Sequence, residues 1–117
     1  MCITPFRPII LFLFLIFLVH LNVIGQNINQ VQTALEYYNN GEIEKARSTF
    51  ESLAKNRENI PFIHNQYLEV LLLDNDAAAA HKYIKIVQKW HPENIFYHVD
   101  EGLIYAHFND HKKAKEI

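Results

Sequence analysis

A chain of 117 residues with 11 Lys+Arg, 13 Asp+Glu and a formal charge of −2 has room for one small domain and offers no basic surface to a phosphate backbone, so no nucleic-acid partner is expected. Its only cysteine is Cys2, and packing, not disulfides, must hold whatever folds. With three glycines in all there is no phosphate-cradling loop, and no GxSxG or HExxH motif occurs; an enzyme is not expected, nor any cofactor.

The first element is the leader MCITPFRPIILFLFLIFLVHLNVIGQ. One basic residue, Arg7, precedes an unbroken apolar run from Ile9 to Val19, and polar residues follow at His20 and Asn22. This is the order of a secretory signal peptide, and Val23 and Gly25 are small enough to predict cleavage between Gly25 and Gln26. The run is about half of the ~20 residues that a membrane-spanning helix requires. The segment 1–25 is therefore expected to leave, taking Arg7 and Cys2 with it; left uncleaved, it would serve as an anchor and be the chain's one contact with a membrane. An exported remainder, periplasmic or associated with the cell envelope, would carry 10 Lys+Arg against 13 Asp+Glu.

Apolar residues then recur at helical spacing. The pattern predicts helices over Ile28–Asn39, Glu42–Asn56, Pro61–Leu73, Ala77–Trp90, Ile95–Phe108 and from His111 onward, and no alternating strand pattern competes. Asp76 and Asp110 stand where N-caps belong. Glu42 and Glu44 open the second helix while Lys55 and Arg57 close it, which suits the helix dipole. Pro61 fits a first helical turn, and Pro92 stops the helix before it. Alanines 77 to 80 need no special purpose, since alanine is the best helix former.

Laid against itself, the chain repeats. The turn at Gly41 is echoed at Asp74 and Asn109. Ala46, Ala79 and Ala114 each fall five residues after the turn position, Phe50 and Tyr83 nine after it, and Tyr37, Val70 and Tyr105 four before it. Hairpins with a period near 34 resemble the tetratricopeptide repeat. That resemblance implies an all-α fold of antiparallel helical hairpins stacked as a right-handed α-solenoid. It covers residues 26–117 in about two and a half repeats, with hairpins near 28–56, 61–91 and 95–117 and the last one truncated. It also implies the N-terminal part of a longer protein, because such stacks need three or more repeats.

The family places Gly or Ala where the two helices of a hairpin cross. Ala34 and Ala46 match in the first unit, with Tyr37 and Phe50 as its bulky neighbours; Gly102 and Ala114 match in the third, with Tyr105. In the second unit Tyr67 takes the small position and Val70 replaces the aromatic, so that hairpin is expected to splay or shift. The proline of the AKNRENIPF link also comes later than the usual pattern.

What the resemblance implies about function is binding along the groove of first helices. Carried over residue by residue, the groove columns are Val31, Leu35, Tyr38 and Asn39, then His64, Leu68, Leu71 and Leu72, then Val99, Leu103 and His107. Tyr38, Asn39, His64, Leu68, Leu72, Leu103 and His107 are the partner-binding candidates, with Tyr38, Asn39, His64 and His107 facing solvent. The Lys and Asn of a carboxylate-clamp repeat are missing, and an apolar groove suits an amphipathic helix or extended apolar peptide. Against this stands the plain alternative that these leucines and valines pack hairpin on hairpin.

The six histidines after residue 25 read as surface residues; a turn separates His107 from His111, and no metal is expected. Asp74, Asp76, Asp100 and Glu101 read as caps and a solvated helix edge. The resulting expectation is an exported scaffold that binds a protein or peptide. The rival is the sensory N-terminal region of a longer membrane-bound signalling protein, a histidine kinase or transcription regulator.

Overall fold

The computed structural model describes residues 7–108, and for residues 20–27 the helical backbone alone. Helix α1 runs Arg7–Asn39, α2 Ile43–Leu53, α3 Ile60–Leu73, α4 Ala77–Trp90 and α5 Ile95–His107, with a 3₁₀ turn Arg57–Asn59 before α3. The chain is all-α: among the described residues there is no strand. Asn109, Asp110, Ala114 and the helix expected from His111 lie outside the described residues.

Four of the helices begin or end where the sequence signals place them. The Asp76 carboxylate accepts from the Ala79 N–H at 3.0 Å, Pro61 sits in the first turn of α3, and α4 stops at Trp90 with His91 as its C-cap. Two caps were not foreseen: Asn56 accepts from the Glu58 N–H, and Asn94 from the Phe96 N–H, each at 3.1 Å. Because the 3₁₀ turn takes up the chain after Leu53, α2 closes before Lys55 and Arg57. Those cations therefore do not sit in its last turn.

Helix α1 departs most from expectation. It does not start near Ile28 but continues unbroken from the apolar leader into the first hairpin, through the predicted cleavage junction. Past Pro8 the only residue of poor helix propensity other than β-branched and polar ones is Gly25, and a lone glycine costs only ~1 kcal/mol. The side chains of Ile9 to Val19 are exposed all round. Among the described residues no helix is long and apolar enough to cross a membrane.

The turn after α1 and the turn after α3 are the same structure. At the first, Asn40 N–H donates to Glu36 C=O, Gly41 to Tyr38 and Glu42 to Tyr37; at the second, Asp74 donates to Val70, Asn75 to Leu72 and Asp76 to Leu71. This is a Schellman-type closure, whose pivot residue must take a left-handed conformation. Gly41 does so at φ 74° and Asn75 at φ 55°. The two turns are thus 34 residues apart, one more than the interval read from Gly41 to Asp74. The correction propagates. Ala46 is matched by Ala80, not Ala79, and Phe50 by Ile84, not Tyr83; of these six residues Ala46, Phe50, Ala80 and Ile84 are fully closed off, Tyr83 is 6% exposed and Ala79 is half-buried. Likewise Tyr37 is matched by Leu71, and Leu68, not Tyr67, stands at the position of Ala34.

Packing follows chain order. Helix α1 lies on α2 and α3, α2 on α3, α3 on α4, and α4 on α5. Ala34 and Ala46 are both 0% exposed, and small side chains at these two positions let α1 and α2 pack closely. Phe50, Ile60, Ile63, Leu71, Ile84 and Ile104 are fully buried and contribute about 1.5–3 kcal/mol each relative to exposure. A buried aromatic chain ties the hairpins together: Phe50 to Tyr67 at 5.9 Å between ring centroids, Tyr67 to Tyr83 at 4.6 Å, Tyr83 to His64 at 5.6 Å and His64 to Tyr97 at 4.8 Å. Offset and edge-on contacts of this kind add about 0.5–1.5 kcal/mol beyond burial.

Candidate functional site

The one-residue correction decides where the predicted groove columns fall. In α1, Val31, Leu35 and Tyr38 are half-buried and Asn39 is exposed; in α5, Val99, Leu103 and His107 are exposed. In α3, His64 and Leu68 are buried and Leu71 is fully buried. These three were read one residue too early. A 34-residue step from α1 instead reaches Asn65, Glu69, Leu72 and Leu73, which are exposed except for the half-buried Leu72. The surface columns are therefore Val31, Asn65 and Val99; Leu35, Glu69 and Leu103; Asn39, Leu73 and His107.

Two of these helices are joined across the face. The Tyr38 hydroxyl donates to the Glu69 carboxylate, and that hydrogen bond, with some burial, raises the hydroxyl above the ordinary tyrosine range. Tyr38 and Leu72 remain on the face, while Asn39 stands at its edge beside the Gly41 turn. His107, at the end of α5, lies edge-on to Phe108 at 4.9 Å. The face also carries apolar groups that the column reading did not include: Phe62 at 67% and Leu73 at 63% exposure on α3, and Ile95 at 69% and Phe96 at 71% on α5. Ile95, Val99 and Leu103 recur every four residues, opposite the Tyr97, Glu101 and Ile104 side that α5 packs inward. Helix α5 is thus apolar on two opposite faces, a signal that the spacing carries without any structure.

His64 is not a solvent-facing contact but the centre of a closed polar network. Its Nε2 lies 2.7 Å from Asp100 Oδ2 and its Nδ1 2.9 Å from the Tyr83 hydroxyl. A carboxylate only accepts, so Nε2 carries a proton, and in the neutral imidazole Nδ1 then accepts from the Tyr83 hydroxyl. Burial pushes the Tyr83 hydroxyl well above its usual range, which keeps that proton in place. The arrangement pins α3 to both α4 and α5. Histidines elsewhere also depart from a plain surface role: His81 packs on Tyr105 at 4.5 Å and His91 on Tyr97 at 5.8 Å.

Glu101 is likewise no solvated edge. It is 4% exposed, accepts from the Gln88 amide at 2.8 Å and pairs with Lys85. Burial pulls its carboxyl upward, but the Gln88 amide and the Lys85 ammonium together outweigh that and leave it lowered. Asp74 and Asp76 both hold Arg47, the latter at 2.6 Å. These carboxylates serve the junctions between helices. No family model matches the chain, and neither a curated protein nor a solved structure matches it.

Proposed function

We propose that this chain is an exported scaffold of the tetratricopeptide type, a right-handed stack of helical hairpins that holds a protein or peptide partner along the face of its first helices. The observation that carries the reading is the coincidence of two registers. The same hydrogen-bonded turn returns after 34 residues, and stepping by that interval from α1 lands on exposed or half-buried positions of both α3 and α5. Helices that pack in chain order, as α1 to α5 do, extend into a curved rod and leave one such face open. Its apolar groups, Phe62, Leu73, Val99 and Leu103, suit an amphipathic helix or an extended apolar segment. The mechanism is preorganisation: the face is ordered on folding, so the partner meets a fixed surface and loses less on binding.

Photo-crosslinking tests this directly. A photoreactive residue at Val99 or Leu103, in the cell of origin, should capture a discrete protein partner, whereas the same group at exposed Lys89 should not. Equal labelling from the three positions, or none from the first two, would end the scaffold reading. Leu103→Glu should remove the capture and leave the helical circular dichroism intact.

The unbroken course of α1 from Arg7 favours a second reading, the membrane-tethered sensory region of a signalling protein. Sequencing the N-terminus of exported material separates the two: a free Gln26 supports the released scaffold, and a retained Arg7 supports the tether.

A further inference from the structure

On the other side of the molecule, α2 and α4 stand apart over α3 and enclose a cleft of 390 Å³, within the size range of small-ligand pockets. The two helices run the same way along it, because Arg47 near the start of α2 clasps Asp76 at the start of α4, while Lys55 and Trp90 lie at the far end. From Arg47 to Lys55 the trough is about 12 Å long at 1.5 Å per residue, the length of one small molecule. The clasp of Arg47 by Asp74 and Asp76 closes one end, so a peptide chain does not run through.

The lining is mainly apolar. Ala54 and Ala79 keep the walls thin, and the ring of Tyr67 forms the floor with Trp90 beside it. Three features give the cleft a polarity. Lys55 and Lys82 lie on its rim and form an ion pair with no described residue. Glu51 is the one anion among the lining residues, and with Arg47 already neutralised the rim keeps a positive balance. The Tyr67 residue is only 6% exposed, yet its hydroxyl makes no hydrogen bond to a described residue and opens to the cleft. Burial pushes this hydroxyl up to about 12, so it is a neutral donor at ordinary pH.

We propose that this cleft binds a small apolar carboxylate, its body against Tyr67 and Trp90 and its charge toward Lys55 and Lys82. The Tyr67 hydroxyl, open to the cleft, then donates to the carboxylate in place of water. This site lies on a different face from the columns of Val99 and Leu103, and it stands or falls independently of the scaffold reading.

Trp90 is the chain's only tryptophan, so its fluorescence reports this cleft and is silent to probes on the apolar Ile9–Val19 segment. Titrating the full chain with 4-phenylbutyrate should give a saturable change in Trp90 emission, and 4-phenylbutylamine, the same body with the opposite charge, should not. The double variant Lys55→Gln, Lys82→Gln alters exposed side chains only; it should raise the Kd about tenfold with unchanged helicity. Tyr67→Phe should raise it about threefold. No saturable change, an equal response to the amine, or wild-type affinity in the double variant would each overturn the proposal. Loss of carboxylate binding with capture from Val99 intact separates this failure from failure of the scaffold reading.

Discussion

The first and second hairpins share a turn but not a seam. In the first, Ala34 and Ala46 meet fully buried and α1 lies close along α2. In the second, Leu68 stands where Ala34 stood and Tyr67 sits beside it. The second pair is correspondingly looser, with Tyr67 of α3 touching both Phe50 on α2 and Tyr83 on α4. Bulk at a helix crossing keeps the helices from meeting closely, and the ring of Tyr67 lines the cleft between α2 and α4. The lesson is that one repeat supplies rigidity and the next supplies a cavity, from nearly the same backbone.

The largest test of the comparison is truncation of the column that both hairpins share. Phe50→Ala should cost about 3–5 kcal/mol and Ile84→Ala about 2–5 kcal/mol, because each empties a fully buried site that close neighbours cannot refill. Urea denaturation should show the loss as a lower midpoint with an unchanged slope. A cost below 1 kcal/mol at either residue would remove it from the core column.

Enlarging alanines distinguishes the seams more sharply. Ala46→Leu should destabilise by about 1–3 kcal/mol through overpacking, whereas Ala79→Leu, which points into the cleft, should be close to neutral. Equal costs at the two positions would contradict the register in which Ala46 answers to Ala80. His64→Phe should cost about as much as Ala46→Leu, about 1–3 kcal/mol, since it removes the hydrogen-bond partner of Tyr83 and leaves partly buried Asp100 without its donor.

Most of the helical layout was legible because caps, prolines and apolar spacing are local signals. Asp76, Pro61 and Pro92 mark their ends without reference to anything distant. The register of the second unit was not legible, for a physical reason. Asp74, Asn75 and Asp76 are all turn formers, and only backbone conformation shows that Asn75 is the left-handed pivot. Choosing Asp74 moved each α3 column by one residue, enough to exchange exposed Asn65 and Glu69 for buried His64 and Leu68. The third-unit turn, read at Asn109, lies outside the described residues, but two steps of 34 from α1 land on Val99, Leu103 and His107, which are exposed. The His64 network was invisible for a different reason: Asp100 lies 36 residues away, and only the packing of α5 on α4 brings it there.

The smallest effect concerns acid. Asp76 caps α4 through the Ala79 N–H and also holds Arg47, and those two contacts, in that order, lower its pKa against a weaker opposing effect of burial. At the matching point of the first hairpin, Glu42 makes no cap bond with its side chain and pairs only with exposed Lys45. A carboxylate whose pKa is depressed by folding stabilises above its unfolded value, near 3.9 for Asp, and loses that contribution as pH falls through the folded value. Glu101, also lowered, acts in the same direction. Acid should therefore loosen the second hairpin before the first. Asp76→Asn keeps a cap acceptor but gives up the charge, so its deficit against wild type should be constant above pH about 5 and close as both approach pH about 2. A deficit that persists unchanged into strong acid would mean that the Asp76 charge contributes nothing, and that the two hairpins differ in packing alone.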